Sequence, residues 1–152
     1  MTDTSRFEPS LAIKIAILWG VFLLGTLFHT QLALIPLFHG LDVTLHGAEA
    51  ASIGEITPIL WLMLAFFLVP MVLMVTTLFG HSRRYRATHF GITLLYTGLN
   101  LAHLVMDLLV TPVAWYQIAL MTWLLVVGLL LNVVAYQWLQ ATSHSRHRLQ
   151  ST

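Results

Sequence analysis

The sequence predicts an all-α integral membrane protein, a four-transmembrane-helix bundle of antiparallel up-down topology with a short amphipathic segment in its outer loop. Three observations predict it. Of the 152 residues, 58% are hydrophobic and only 9% charged, where a soluble domain carries about a quarter charged residues. The mean hydropathy of +0.83 exceeds what the small interior of a soluble chain this size can absorb. The apolar residues also fall into four runs, each near the roughly 20 residues a helix needs to cross a hydrocarbon core of about 30 Å.

The first span covers about residues 11–37, with Ser10 as a candidate N-cap and Pro36 as an end signal. The second covers about 57–80 and opens at Thr57-Pro58, since proline is tolerated in a first helical turn. Pro70 lies inside it and should kink it. The third covers about 88–111 and ends at Thr111-Pro112; the fourth covers about 113–140. The link at Pro112 is so short that the last two spans must be antiparallel neighbours. The outer loop is 38–56, and residues 45–53 within it fit a short interfacial helix. No repeat or low-complexity segment divides the chain, so 1–152 reads as one domain. The first apolar run is too long for a signal peptide, and no small-residue cleavage site follows it.

The basic residues orient the bundle. Arg6 precedes the first span and Lys14 lies at its margin, Arg83, Arg84 and Arg86 join the second and third, and Arg146 and Arg148 follow the fourth. All lie on one side of a four-span chain, and the other side carries Asp42, Glu49 and Glu55. The positive-inside rule then places both termini in the cytoplasm and the 38–56 loop outside.

Composition also excludes several functions. A net charge of +1, without interleaved basic and aromatic residues, gives no footprint for nucleic acid. With no cysteine there is no disulfide, thiolate site, iron–sulfur cluster or Cys-x-x-Cys-His haem attachment. No Walker or His-Glu-x-x-His motif is present.

Polar residues within lipid point to a metal. His29 lies seven residues before Pro36, about 10 Å below the outer end of its span at 1.5 Å per residue. His103 lies eight residues before Thr111, about 12 Å below its own end. Asp107 follows His103 at i+4 and Asn100 precedes it at i−3, so all three share a helix face. An ionisable group at such depth costs roughly 2.5–3.5 kcal/mol on insertion scales, and so needs a partner. The outer loop adds His39, His46 and Glu49, and Glu55 sits just before the second span. The candidate ligands are therefore His29, His39, His46, Glu55, His103 and Asp107, enough for one or two transition-metal ions. Nitrogen with oxygen suits zinc, copper, iron or manganese. Glu49 reads as a solvated loop carboxylate, Asp42 as a turn residue, and His81, His89, His144 and His147 as interfacial or solvated.

Several readings compete. A non-haem site near the outer face would serve redox chemistry, as in a membrane-bound metal-dependent oxidoreductase acting on quinone or another small substrate, or it would handle metal as cargo. A b-type cytochrome would use His29 and His103 as axial haem ligands and exchange electrons with quinone. A proton or metal transporter would use His103 and Asp107, and four spans would then favour a homo-oligomer. A small subunit of a membrane complex explains the spans but not the clustered ligands. The plainest account makes His29, His103 and Asp107 a hydrogen-bonded lock between two helices.

Overall fold

A computed structural model describes residues 9–43, 50, 52–80 and 82–150, with side chains as far as 141. It contains helices α1 (Leu11–Phe38), α2 (Ile53–Thr76), α3 (Arg83–Leu109) and α4 (Trp115–Gln150), and no strand among the described residues. All four are long and apolar enough to cross a membrane, α4 through its Trp115–Ala141 portion.

The boundaries follow caps more closely than prolines. Ser10 caps α1 as expected, its hydroxyl accepting from the Ile13 amide. Pro36 does not end the helix, which runs on to Phe38. The stop is Gly40, whose φ of 75° is a left-handed conformation that glycine adopts without a Cβ penalty. There the Leu41 amide donates to the Pro36 carbonyl and the Gly40 amide to that of Leu37, the Schellman pattern. Helix α2 starts at Ile53 rather than 57, so Glu55 lies within its first turn. Ser52-Ile53-Gly54-Glu55 has capping-box spacing, although the Ser52 hydroxyl makes no capping bond. Helix α3 begins at Arg83, because the Ser82 hydroxyl accepts from the Tyr85 amide and fixes the start. Arg83, Arg84 and Arg86 are therefore helical rather than in a loop. Helix α4 continues to Gln150, well past the expected end near 140. The proposed interfacial helix of 45–53 falls largely outside the described residues.

Helix α4 packs against both α3 and α1, and α2 packs on α1. The face of α4 carries Met121, Leu124, Gly128, Leu131, Ala135 and Trp138, all buried and spaced alternately three and four apart. Two glycines set the closest approaches. A Cβ on Gly25 would collide with the Leu124 side chain, and one on Gly128 would lie 2.9 Å from Thr97 Oγ1.

Helix α3 carries the same three-four spacing in polar residues: Arg86, His89, Thr93, Tyr96, Asn100, His103 and Asp107. This seam runs from Arg86 to Asp107, 22 residues with a rise of about 32 Å at 1.5 Å per step, close to the full hydrocarbon thickness. It ties α3 to every other helix. Arg86 Nη1 donates to the Trp138 carbonyl of α4, Trp19 Nε1 of α1 donates to His89 Nε2, and Tyr96 Oη donates to the Phe66 carbonyl of α2. Contacts between α1 and α3 advance together along both chains, pairing Trp19 with His89, Phe22 with Tyr96 and His29 with His103.

Candidate metal centre

At one end of the α3 seam, His29, His103 and Asp107 converge. His103 and Asp107 project from one face of α3, one turn apart, and α1 brings His29 across to meet them. The two histidine Nε2 atoms lie 3.2 Å apart with their rings near perpendicular, at 81°. Asp107 Oδ2 lies 3.6 Å from His29 Nε2, and Asp107 Oδ1 lies 3.6 Å from His103 Nε2. One ligand atom from each residue falls within a 4.8 Å group, the grouping of this kind among the described residues.

These separations can be compared with coordination geometry. Metal bonds of about 2.0–2.2 Å to nitrogen and oxygen, in a tetrahedron, hold their ligand atoms about 3.3–3.6 Å apart. The histidine nitrogens lie close to that edge length and each approaches a different Asp107 oxygen at it, so the groups gather on the scale of a coordination sphere without tracing one tetrahedral face. The hydrogen-bond account fits less well. One imidazole would donate to the other across 3.2 Å, but both carboxylate approaches are too long for hydrogen bonds. Asp107 Oδ2 is then buried with no hydrogen-bond partner, and so is His29 Nδ1. Buried oxygen atoms of this kind ordinarily have partners, and a cation held between the three groups would supply one.

The cluster is closed on one side and open on the other. The side chains of His29 and Asp107 are 11% and 18% exposed, whereas that of His103 is 54% exposed. Of the other sequence candidates, His39 caps the C-terminus of α1 and Glu55 lies in the first turn of α2. The structure does not bring either into the three-residue group. His46 and Glu49 lie outside the described residues.

A second histidine site occupies the opposite part of the seam. His89, read from the sequence as interfacial or solvated, is wholly buried, because α3 starts six residues before it. Its ring contacts those of Trp19, Tyr85 and Trp138, and its Nε2 accepts from Trp19 Nε1 at 3.1 Å. Thr77 Oγ1 donates to the Leu73 carbonyl and sits 3.3 Å from the same nitrogen. Trp138 is 5% exposed, with the Arg86 guanidinium 4.6 Å above its ring. Trp61, Trp115 and Tyr116 are exposed. Asn132 donates to Thr97 Oγ1 between helices, as its place in an apolar span suggests. The sequence signal for His89 was the three-four spacing itself: extended downward from His103 through Asn100, it passes through Tyr96 and Thr93 to His89.

Comparison with protein-family models, curated proteins and solved structures gives no match.

Proposed function

We propose that this is a multi-pass membrane metalloprotein that binds a transition-metal ion through His29, His103 and Asp107. One observation carries the reading: two imidazole nitrogens lie 3.2 Å apart, each 3.6 Å from one oxygen of the same carboxylate, and one of those oxygens is otherwise buried and unpartnered. Two histidines with one carboxylate form a ligand set used by catalytic zinc and by non-haem ferrous sites, and both keep positions open for another ligand. The bound ion would neutralise Asp107, present a Lewis acid or redox centre within lipid, and link α1 to α3.

The same geometry favours a single ion over haem. Two axial nitrogens bonded in line to one iron stand about 4 Å apart with the macrocycle between them. Here the nitrogens are 3.2 Å apart and Asp107 reaches toward both. Haem ligation at this pair would require the helices to separate.

We place the four helices up and down across the bilayer, with the Lys- and Arg-bearing ends of the chain cytoplasmic and the metal toward the outer face. The in-step contacts of α1 with α3 and the one-sided basic residues support that arrangement. Metal analysis of detergent-purified protein, with its visible spectrum, tests the reading. We expect one zinc, copper, iron or manganese ion per chain and no Soret band. A Soret band with stoichiometric iron would install the cytochrome reading in its place. Colourless, metal-free protein that resists reconstitution would leave a helix lock.

A further inference from the structure

The buried side of the cluster holds an unused donor and an unused acceptor. His29 presents Nε2 to His103 and Asp107, so Nδ1 carries the ring proton when that Nε2 binds metal. Metal-ligating histidines almost always give this second N–H to an acceptor, which fixes the ring and raises its basicity. His29 Nδ1 is buried and, among the described residues, has no hydrogen-bond partner. Asn100 stands one turn before His103 on the same face of α3. Its Nδ2 donates to Met121 Sδ of α4 at 4.0 Å, and its Oδ1 is likewise buried without a partner among the described residues.

The helix contacts bring these two residues to one level. Helices α1 and α3 advance together, with Trp19 beside His89 and His29 beside His103. Helices α3 and α4 advance in opposite directions, pairing Arg86 with Trp138, Thr97 with Asn132 and Asn100 with Met121. Helices α1 and α4 therefore run against each other, and the close approach of Gly25 to Leu124 sets their register. One turn from that contact toward the metal cluster stand His29 on α1 and Met121 on α4. His29 and Asn100 thus flank the level of Met121 from α1 and from α3. Each lies nine residues inside its helix end, at Phe38 and Leu109, about 14 Å along the axis. Both residues are buried, His29 at 8% exposure and Asn100 at 6%. A buried donor and a buried acceptor left apart are each costly, and an internal water characteristically bridges such a pair.

Resting on the metal reading above, we propose that Asn100 is a positioning residue of the metal centre. Its Oδ1 accepts, through one buried water, the Nδ1–H of His29, and so holds that ring with Nε2 toward the ion.

The test uses the full chain in lipid nanodiscs, labelled with nitrogen-15 histidine, with zinc as the metal probe. Zinc affinity is read by chelator competition, and the His29 Nδ1–H by its imidazole nitrogen–proton signal, assigned by its loss in His29→Gln. In zinc-loaded wild type that proton should exchange slowly with solvent. Asn100→Leu keeps the volume and removes the acceptor. It should abolish the protected signal and weaken zinc binding about 10–100-fold, the cost of losing such a partner. Asn100→Asp keeps an acceptor and should restore both. Asn132→Leu removes another interhelical amide, the one bonded to Thr97. It should lower the unfolding temperature and move neither readout.

A freely exchanging His29 Nδ1–H in zinc-loaded wild type overturns the proposal and leaves the metal site standing. Wild-type zinc affinity in Asn100→Leu overturns it equally. Equal zinc losses in Asn100→Leu and Asn132→Leu would mean that both act through bundle stability, and the proposal fails. If Asn100→Leu does not fold, the signal in wild type and in Asn100→Asp decides. Wild type that takes up no zinc refutes the metal reading; a protected His29 Nδ1–H in that sample, lost in Asn100→Leu, would still keep the Asn100 contact.

Discussion

His89 and His103 stand on the same polar seam of α3, fourteen residues apart, yet their surroundings differ in every respect that decides what an imidazole can do. At His89 the acceptor nitrogen already takes the Trp19 N–H, and the ring is enclosed by Trp19, Tyr85 and Trp138. A cation approaching it would have to displace a hydrogen bond and enter an aromatic box. At His103 the nitrogen faces the Nε2 of His29 and a carboxylate, and the opposite side of the ring is open. Two imidazole nitrogens and a carboxylate converge there. The difference teaches that depth in the membrane does not make a histidine a ligand. What its acceptor nitrogen meets does.

Removing ligands should separate the two sites most sharply. His103→Ala or Asp107→Ala is expected to lower metal affinity by more than the roughly 10–100-fold that loss of a second-shell partner costs. His89→Ala should leave metal content at the wild-type level. Metal analysis after dialysis against a graded chelator series reads both. If His89→Ala strips the metal as thoroughly as His103→Ala, the two ends are one cooperative site and the contrast collapses. Stability should respond in the opposite sense. His89→Ala leaves the buried Trp19 N–H without its acceptor and opens a void, which together cost about 3 kcal/mol. Thermal unfolding in detergent, on metal-free protein, would show the loss, whereas metal-free His103→Ala should unfold close to wild type because its side chain is half exposed.

Much of this was legible from the sequence. Composition and basic-residue placement indicate four spans, and the pairing of His29 with His103 follows from their similar distances to span ends. The pairing survives although α1 ends later than expected and α3 earlier, because the contacts that matter lie in the helix bodies. Asp107 was legible as the i+4 neighbour of His103. Helix starts were less so: the Ser82 hydroxyl caps α3 and Ser52 stands at the start of α2 without a side-chain cap, whereas Pro58 lies within α2, since proline is tolerated in a first helical turn. Misplacing the start of α3 at Thr88 put His89 at an interface and hid its burial. Glu55 and His39 drew attention by being near the outer end in sequence. Nearness to a helix end leaves the direction of a side chain open, and neither joins the group.

Between the two histidine sites the bundle is close-packed, and smaller effects test whether that packing isolates one end from the other. Gly25→Ala would drive a methyl group into Leu124, and overpacking of this kind typically costs about 1–3 kcal/mol. The unfolding midpoint should fall, and the metal affinity should weaken only modestly, because Gly25 lies one turn before His29 on α1. A large loss of metal with little loss of stability would mean that Gly25 positions the ligand rather than the helix.

The smallest expected effect is at the middle of the seam. Tyr96 Oη donates to the Phe66 carbonyl across to α2 at 2.9 Å, while its ring packs on Trp19, Phe22 and Phe66. Tyr96→Phe keeps the ring and deletes only the hydroxyl. An interhelical hydrogen bond within a membrane averages about 0.6 kcal/mol, since the unfolded helices also find partners. Stability should drop by about that amount, with metal affinity unchanged at one end and His89 still protected at the other. A loss several times larger, or any change in metal affinity, would show that the polar seam couples its two ends, and that the open and closed sites are not independent.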